Sequence, residues 1–327
     1  HPLLSPLDEF AGFEKYENLL GPTTLADGST SIKATPGIGA FMRPALKRGL
    51  ELETKIGINP YKFGVVGASD SHTSLVSVEE ENFHGKYAND STPETKHKPT
   101  VPTSVGWDAA AQGLSAVWAE ENTRESITAA FRRREVYATS GPRIGLRVFG
   151  GWNFTSYDAR KPNLAKVGYQ KGVPMGGELN GSEKTKKLTL LIQAAKDPLG
   201  NDLERVQVVK GWLDANGTSQ EKIYDAACSD GLSPDPVTHR CPDNGARVDI
   251  ETCATTPDKG DPEISVAWQD PDFIAGQNVS YYVRVLENPT CRWSTWDAVH
   301  SNADPNPNMK KTIQERAWSS PIWVKSI

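Results

Sequence analysis

The stretch KFGVVGASDSHTS, residues 62–74, decides how the first half of the chain is read. Its front, FGVVGAS (63–69), is short, β-branched and apolar at successive positions, the pattern of a strand buried on both faces of a parallel sheet. Two small residues, Gly67 and Ala68, then lead into Asp70, Ser71, His72 and Thr73. Residues i and i+2 of an extended segment point the same way. Asp70 and His72 therefore address one point beyond the carboxyl end of the strand, where α/β structures bind their ligands. A carboxylate oxygen plus an imidazole nitrogen suits zinc, manganese or iron. Ser69, Ser71 and Thr73 stand ready to hydrogen-bond such ligands from behind. The competing reading is a turn capped by Asp70, with His72 a polar surface residue.

Upstream, IGAFMRPALKRGLELETKI (38–56) predicts a helix, with Phe41, Leu46, Leu50 and Leu52 as its apolar stripe and Pro44 in the first turn. Downstream, residues 77–112 carry acids, prolines and glycines without periodicity. A loop of that length inside a domain is often functional, for instance a lid. GLSAVWAE (113–120) predicts another strand, and Asn122 with Glu125 a capping box for a helix at 123–134. Helix, strand, loop, strand, helix is α/β grammar. From about residue 144 the character changes to short alternating strands separated by turn residues: GLRVFGGW, LTLLIQAA, RVQVVKGWLD, EISVAWQD, VSYYVRVLE and SSPIWVKS. That pattern is an all-β sandwich. The expectation is an α/β domain over residues 1–141 and a β-sandwich-like domain over 142–327, with the boundary near TSGPRIG (139–145).

Four cysteines, 228, 241, 253 and 291, lie in the second half, three of them in a loop-like stretch rich in Pro, Gly and Asp. They contain no CxxC pair, which argues against a zinc ribbon. Two disulfides and an oxidising compartment, periplasmic or secreted, are one reading; four free thiols in the cytosol are the other. A formal net charge of -5 offers nucleic acid no basic face, and no apolar run reaches the length of a membrane span. The chain starts at His1 rather than at methionine, so an upstream part is expected. Further site candidates are His1 itself, Glu120 or Glu121 at a strand end as ligand or base, and Arg143 as an anion holder near the domain junction. His84 and His97 in the long loop read as solvated, Arg132, Arg133 and Arg134 as the favoured cationic end of a helix. The nine tryptophans read as packing residues more than as a sugar platform.

GVVGASDSHT, VWAEENTRESI, REVYATSGPRI, GVPMGGEL, VQVVKGW, YYVRVLENPTCRWSTWDA and IQERAWSSPIW together resemble a bacterial family catalogued as a domain of unknown function and related to the PHP (polymerase and histidinol phosphatase) metal-dependent phosphoesterases. The resemblance covers nearly the whole chain. It implies a distorted β/α barrel that binds two or three divalent metals at its C-terminal face. Its ligands are an early H-x-H, intermediate Glu and His residues and a late D-x-H. Asp70 and His72 match that late pair, and His1 matches the His of an E-x-H-P segment near the site. Nothing matches the early H-x-H or the intermediate His. Residues 1–141 are also far short of the roughly 250 a β/α barrel takes. The expectation is that this chain is the C-terminal portion of a longer protein, partnered by a missing N-terminal half and holding part of the metal site.

The function expected is a metal-dependent hydrolase, foremost a phosphoesterase acting on a small anionic substrate through an activated water. Asp70, His72 and His1 are the metal ligands, and His1, Glu120 and Arg143 the catalytic candidates. One alternative keeps the metal and changes the bond to an amide or another ester. The other is a secreted module that binds glycan or protein through the β-rich half.

Overall fold

The strand VSYYVRVLE shows how this sequence builds its architecture. Val279, Tyr281, Val283 and Val285 fall on one face and Tyr282 and Arg284 on the other, and all nine residues are buried. A strand with both faces covered sits between two layers. The structure is a computed structural model. It describes residues 8, 10, 23–24, 30–31, 41–68, 71–75, 77–96, 99–101, 104–105, 107, 109–181 and 187–325.

The helices are α1 (Met42–Ile56), α2 (Arg124–Arg132), α3 (Leu164–Lys171) and α4 (Trp293–Ser301). The strands of the first half that enter the large sheet are β1 (Leu114–Val117) and β2 (Val136–Thr139). Those that follow are β3 (Gly145–Gly151), β4 (Gly172–Pro174), β5 (Glu178–Asn180), β6 (Thr189–Ala195), β7 (Leu203–Leu213) and β8 (Ser219–Cys228). The last are β9 (Glu263–Gln269), β10 (Val279–Glu287), β11 (Thr290–Cys291), β12 (Thr312–Ile313), β13 (Arg316–Ser319) and β14 (Ile322–Lys325).

Two sheets face each other. One runs β9-β6-β3-β4; the eight-stranded one runs β8-β7-β10-β13-β2-β1, with β14 pairing β10 and β5. Register follows the alternation. Val208 opposes Val283 within the large sheet, and Leu191 opposes Phe149 within the small one. Leu146, Val148, Leu190 and Ile192 of the small sheet then meet Val206, Val208, Val283 and Val285 of the large one in a common core. Outside the large sheet, Leu46 and Leu50 of α1 cover Val209, Ile223, Tyr282 and Trp323. Outside the small sheet, Leu164 and Val167 of α3 pack on Phe149 and Leu191. The β-rich half of the expectation is thus present, wrapped by one helix on each side.

The first half departs from expectation. FGVVGAS is not a buried parallel strand. No strand is formed over 62–68, and Val66 is 48% exposed. The segment has no ladder partner among the described residues; it is held instead by side chains. Ser320 Oγ accepts from the Val65 N–H at 2.8 Å, and the Ser115 hydroxyl donates to the Gly67 carbonyl. The architecture is mixed α/β with mostly sheet content, but its first half does not build a parallel sheet among the described residues. β1 and β2, joined through α2, are antiparallel neighbours, and β2 pairs β13 of the C-terminal part. The large sheet therefore runs continuously across the expected boundary at 141/142. Only β5 and β14 pair in parallel, and among the described residues no sheet closes into a barrel. The N-cap of α2 is Thr123, whose hydroxyl accepts from the Ser126 N–H, and not Asn122.

The long loop is anchored where it is described. Phe83 and Trp107 pack on Trp293 of α4 with ring centroids 5.2 and 5.7 Å apart. The buried Lys96 ammonium donates to the Phe83 carbonyl and pairs with Asp297 at 2.7 Å. The cysteines form two disulfides, Cys228–Cys241 and Cys253–Cys291. No described helix is long and apolar enough to cross a membrane.

Candidate functional site

The segment that precedes His72 is set against the sheet by backbone contact. A Cβ on Gly64 would lie 2.9 Å from the Val136 side chain, and one on Gly67 would lie 2.9 Å from the Thr139 carbonyl oxygen and 2.4 Å from that of Leu114. The segment therefore runs alongside β2 in the same direction, pressed against the sheet. Gly67 is required for that approach, because any side chain there meets two backbone oxygens that the β1–β2 ladder holds in place. We expect Gly67→Ala to destabilise the protein by about 1–3 kcal/mol and to push the 68–75 arm off the sheet. Urea unfolding reads the first effect, and an unchanged midpoint would refute the packing argument.

The Ser71 and Thr73 hydroxyls bond each other at 2.9 Å, and Thr73 Oγ1 accepts from the Leu75 N–H at 3.1 Å. Ser74 takes a left-handed backbone conformation, φ 61°. These local bonds fold 71–75 into a tight turn of the kind Ser and Thr favour. The His72 N–H donates to the Lys86 carbonyl at 2.8 Å, and its ring stacks on Tyr87 with centroids 4.7 Å apart. The imidazole is thus held by the long loop on one face while the residue as a whole remains exposed.

Other expected residues are distributed unevenly around this arm. Arg143 sits on the turn between β2 and β3, at the same end of the sheet as Gly67. A Cβ on Gly141 of that turn would lie 2.3 Å from the Val78 carbonyl, which ties the turn to the long loop. The Arg143 N–H donates to Asp197 Oδ2 at 2.6 Å, and its side chain is exposed. Glu120 is exposed beyond Val117, the far end of β1. β1 alone measures about 10 Å at ~3.3 Å per residue, so the structure separates Glu120 from His72. His1, Asp70 and His97 lie outside the described residues. His84 is half-buried in the long loop, and His239 and His300 belong to other parts of the chain, packed on Tyr224 and Trp296.

As a metal site the donor types fit in kind: an exposed imidazole on a fixed backbone, with a carboxylate two residues before it. They do not amount to a complete set. Among the described residues no three His, Cys, Asp or Glu side chains gather into a metal-holding group. Of the ligands the resemblance implies, His72 alone is described.

Comparison with known proteins adds a family. A family model described as "Protein of unknown function (DUF3604)" matches residues 1–326. No curated protein and no solved structure matches the chain.

Proposed function

The chain belongs to the DUF3604 family, and from that premise we propose that it is a metal-dependent hydrolase acting on small anionic esters, phosphate esters first. The observation that carries the reading is the arm itself. Glycine-mediated contact presses the 64–67 segment against the sheet ahead of His72, and the Lys86 carbonyl and the Tyr87 ring hold His72 while it stays exposed. The relation to the PHP phosphoesterases rests on the motif resemblance and supplies the reaction class.

Asp70 and His72 offer one oxygen and one nitrogen donor, a mixture suited to manganese, zinc or iron. His1 and the N-terminal half that the resemblance implies supply the further donors. A divalent cation bound there provides a water of near-neutral pKa and positive charge opposite the ester's anionic oxygens. The Ser71–Thr73 hydroxyl pair and the Lys86 carbonyl fix the turn, so that His72 keeps its orientation through turnover. Arg143, exposed on the neighbouring turn, meets the substrate anion with a planar fork of donors. Glu120 has no part at this end of the sheet.

The glycan-binding alternative draws no support from the tryptophans. All nine are buried or half-buried, so none forms an exposed stacking platform. Two disulfides support placing the protein in an oxidising compartment, periplasmic or secreted.

Elemental analysis of the purified protein, with hydrolysis of p-nitrophenyl phosphate and of its diester, tests the proposal. We expect bound manganese, zinc or iron, activity lost in chelator, and a fall of at least about 100-fold in Asp70→Ala and His72→Ala with unchanged unfolding midpoints. Metal-free protein that keeps its activity, or variants as active as the parent, would overturn it.

A further inference from the structure

Between the long loop, the β2–β3 turn and the ends of β10 and β13 lies a cavity of about 260 Å³. Its walls are of two kinds. Val78, Pro142, Leu199 and Trp296 are apolar, and three deeply buried carboxyls, Glu80, Glu287 and Glu315, supply the polar part. Glu287 closes β10 and Glu315 immediately precedes β13. The Glu287 N–H donates to the Glu315 carbonyl at 3.0 Å, so the two glutamates sit opposite each other on adjacent chains. One oxygen of Glu315 accepts from the Ser140 hydroxyl. The other, Oε1, has no hydrogen-bond partner, and neither has Glu287 Oε1. Glu287 and Glu315 are only 2% and 3% exposed, so no bulk water compensates them.

The surrounding charges do not neutralise this pair. Glu79, Glu81 and Asp197 also line the cavity, and no lysine or arginine does among the described residues. Lys196, paired with Asp202 at 2.8 Å, and Arg316, which donates through Nε to the Gln314 carbonyl, draw the Glu287 and Glu315 carboxyls down, but less than burial and the neighbouring carboxylates push them up. Burial, reinforced by Asp197, pushes the Glu287 carboxyl up to about 8. Burial, reinforced by Glu80, raises Glu315 well above the ordinary carboxylate range. Buried carboxylates left without a counter-charge take up protons unless a cation is supplied.

We propose that this cavity binds a small organic cation, a primary ammonium or guanidinium group, whose N–H donors satisfy the unpartnered oxygens of Glu287 and Glu315. A bare metal ion fits less well, because no three of these side chains converge as direct ligands. Donors that reach out on N–H bonds bridge a wider spacing. The volume takes about eight groups of roughly 30 Å³ each, enough for a short alkyl chain along the apolar wall with the cationic end against the carboxyls.

Isothermal titration with n-butylammonium chloride tests this, with tetramethylammonium chloride, which has the charge and no N–H donor, and calcium chloride as comparisons. Butylammonium is expected to bind saturably, and tetramethylammonium at least tenfold more weakly. Glu287→Gln and Glu315→Gln should each weaken butylammonium at least tenfold. The wild-type protein needs no variant for a second check: a cation between Glu287 and Glu315 displaces the protons that burial favours there, so affinity should rise as the pH climbs from 6 to 8. Equal binding of tetramethylammonium, calcium binding in place of the amine, unchanged affinity in folded Gln variants, or a flat pH profile would each overturn the assignment.

Discussion

Arg284→Met is expected to lower the stability of the protein by about 3–5 kcal/mol, because it strands a buried carboxylate. Arg284 lies in the middle of β10 on the face away from the sandwich core. Its guanidinium donates to both oxygens of Asp8, at 2.9 and 3.2 Å, to the Phe10 carbonyl at 2.6 Å, and through Nε to Gln207 at 2.8 Å. The Asp8 side chain is fully buried and that of Arg284 is 1% exposed. Arg43 of α1 holds Asp8 Oδ2 from the other side at 2.8 Å. Removing Arg284 leaves Asp8 with one cation and Gln207 without its donor. Urea unfolding measures the loss, and a change below about 1 kcal/mol would refute the argument. The double variant Asp8→Ala with Arg284→Met should lose less than Arg284→Met alone, since it removes the stranded charge with its partner. The same pair sets a pH dependence. Burial works to raise the Asp8 carboxyl, but attraction and hydrogen bonds from Arg284, then from Arg43, outweigh it and hold the pKa down to about 2 against an ordinary 3.8. A depressed folded-state pKa confers stability above the unfolded value. A contribution of about 2 kcal/mol is therefore complete above about pH 4–5 and lost as the pH falls toward 2.

How far the sequence carried the fold depends on what each segment's neighbours supply. LTLLIQAA and VSYYVRVLE were legible because both faces are buried and the apolar residues mark them as strands without further context. β8, SQEKIYDAAC, was missed because it is an edge strand. Its first four residues are only half-buried, and its partner β7 defines it more than its own composition does. FGVVGAS misled for a related reason. Its small residues serve close backbone approach at Gly64 and Gly67, which looks the same in sequence as burial in a parallel sheet. Of the candidate residues, Asp70 and His72 were singled out by their spacing and Arg143 by its place at a turn; Asp70 lies outside the described residues, and Arg143 is exposed on the β2–β3 turn. That Glu120 stands at the opposite end of β1 is a consequence of the antiparallel β1–β2 pairing, which no local pattern encodes. Glu287 and Glu315 were passed over because each adjoins an apolar strand and reads as its polar end. Only the pairing of β10 with β13 sets them facing one cavity.

Deleting the Cys253–Cys291 bridge with a paired alanine substitution should cost about 4 kcal/mol, and deleting Cys228–Cys241 about 3 kcal/mol, on the chain-entropy argument. The bridges span 38 and 13 residues, and a longer loop gains more freedom in the unfolded chain when its link is cut. The folded state points the same way. Between β8 and β9 the chain from 229 to 262 forms no labelled strand or helix and carries little apolar burial, Ala246 and Cys253 being its buried hydrophobic residues. Its fixed points are polar: Asn244 Nδ2 donates to Asn288 Oδ1 at 2.9 Å, Asn288 Nδ2 to the Lys259 carbonyl at 2.8 Å, and the Cys241 N–H to Asp225 at 2.7 Å. Cys253–Cys291 joins this loop covalently to β11 at the foot of α4, where Cys291 is completely buried. Reduction should therefore proceed in order. Cys228 and Cys241 are half-buried and open first in dithiothreitol, whereas Cys291 is shielded until the loop lifts. Thiol counting by mass spectrometry along a reduction time course, with limited proteolysis of the 229–262 loop, follows both steps. If Cys253–Cys291 is the first bridge lost, or if its removal shifts the unfolding midpoint less than removal of the shorter bridge, then loop length and burial do not govern this region.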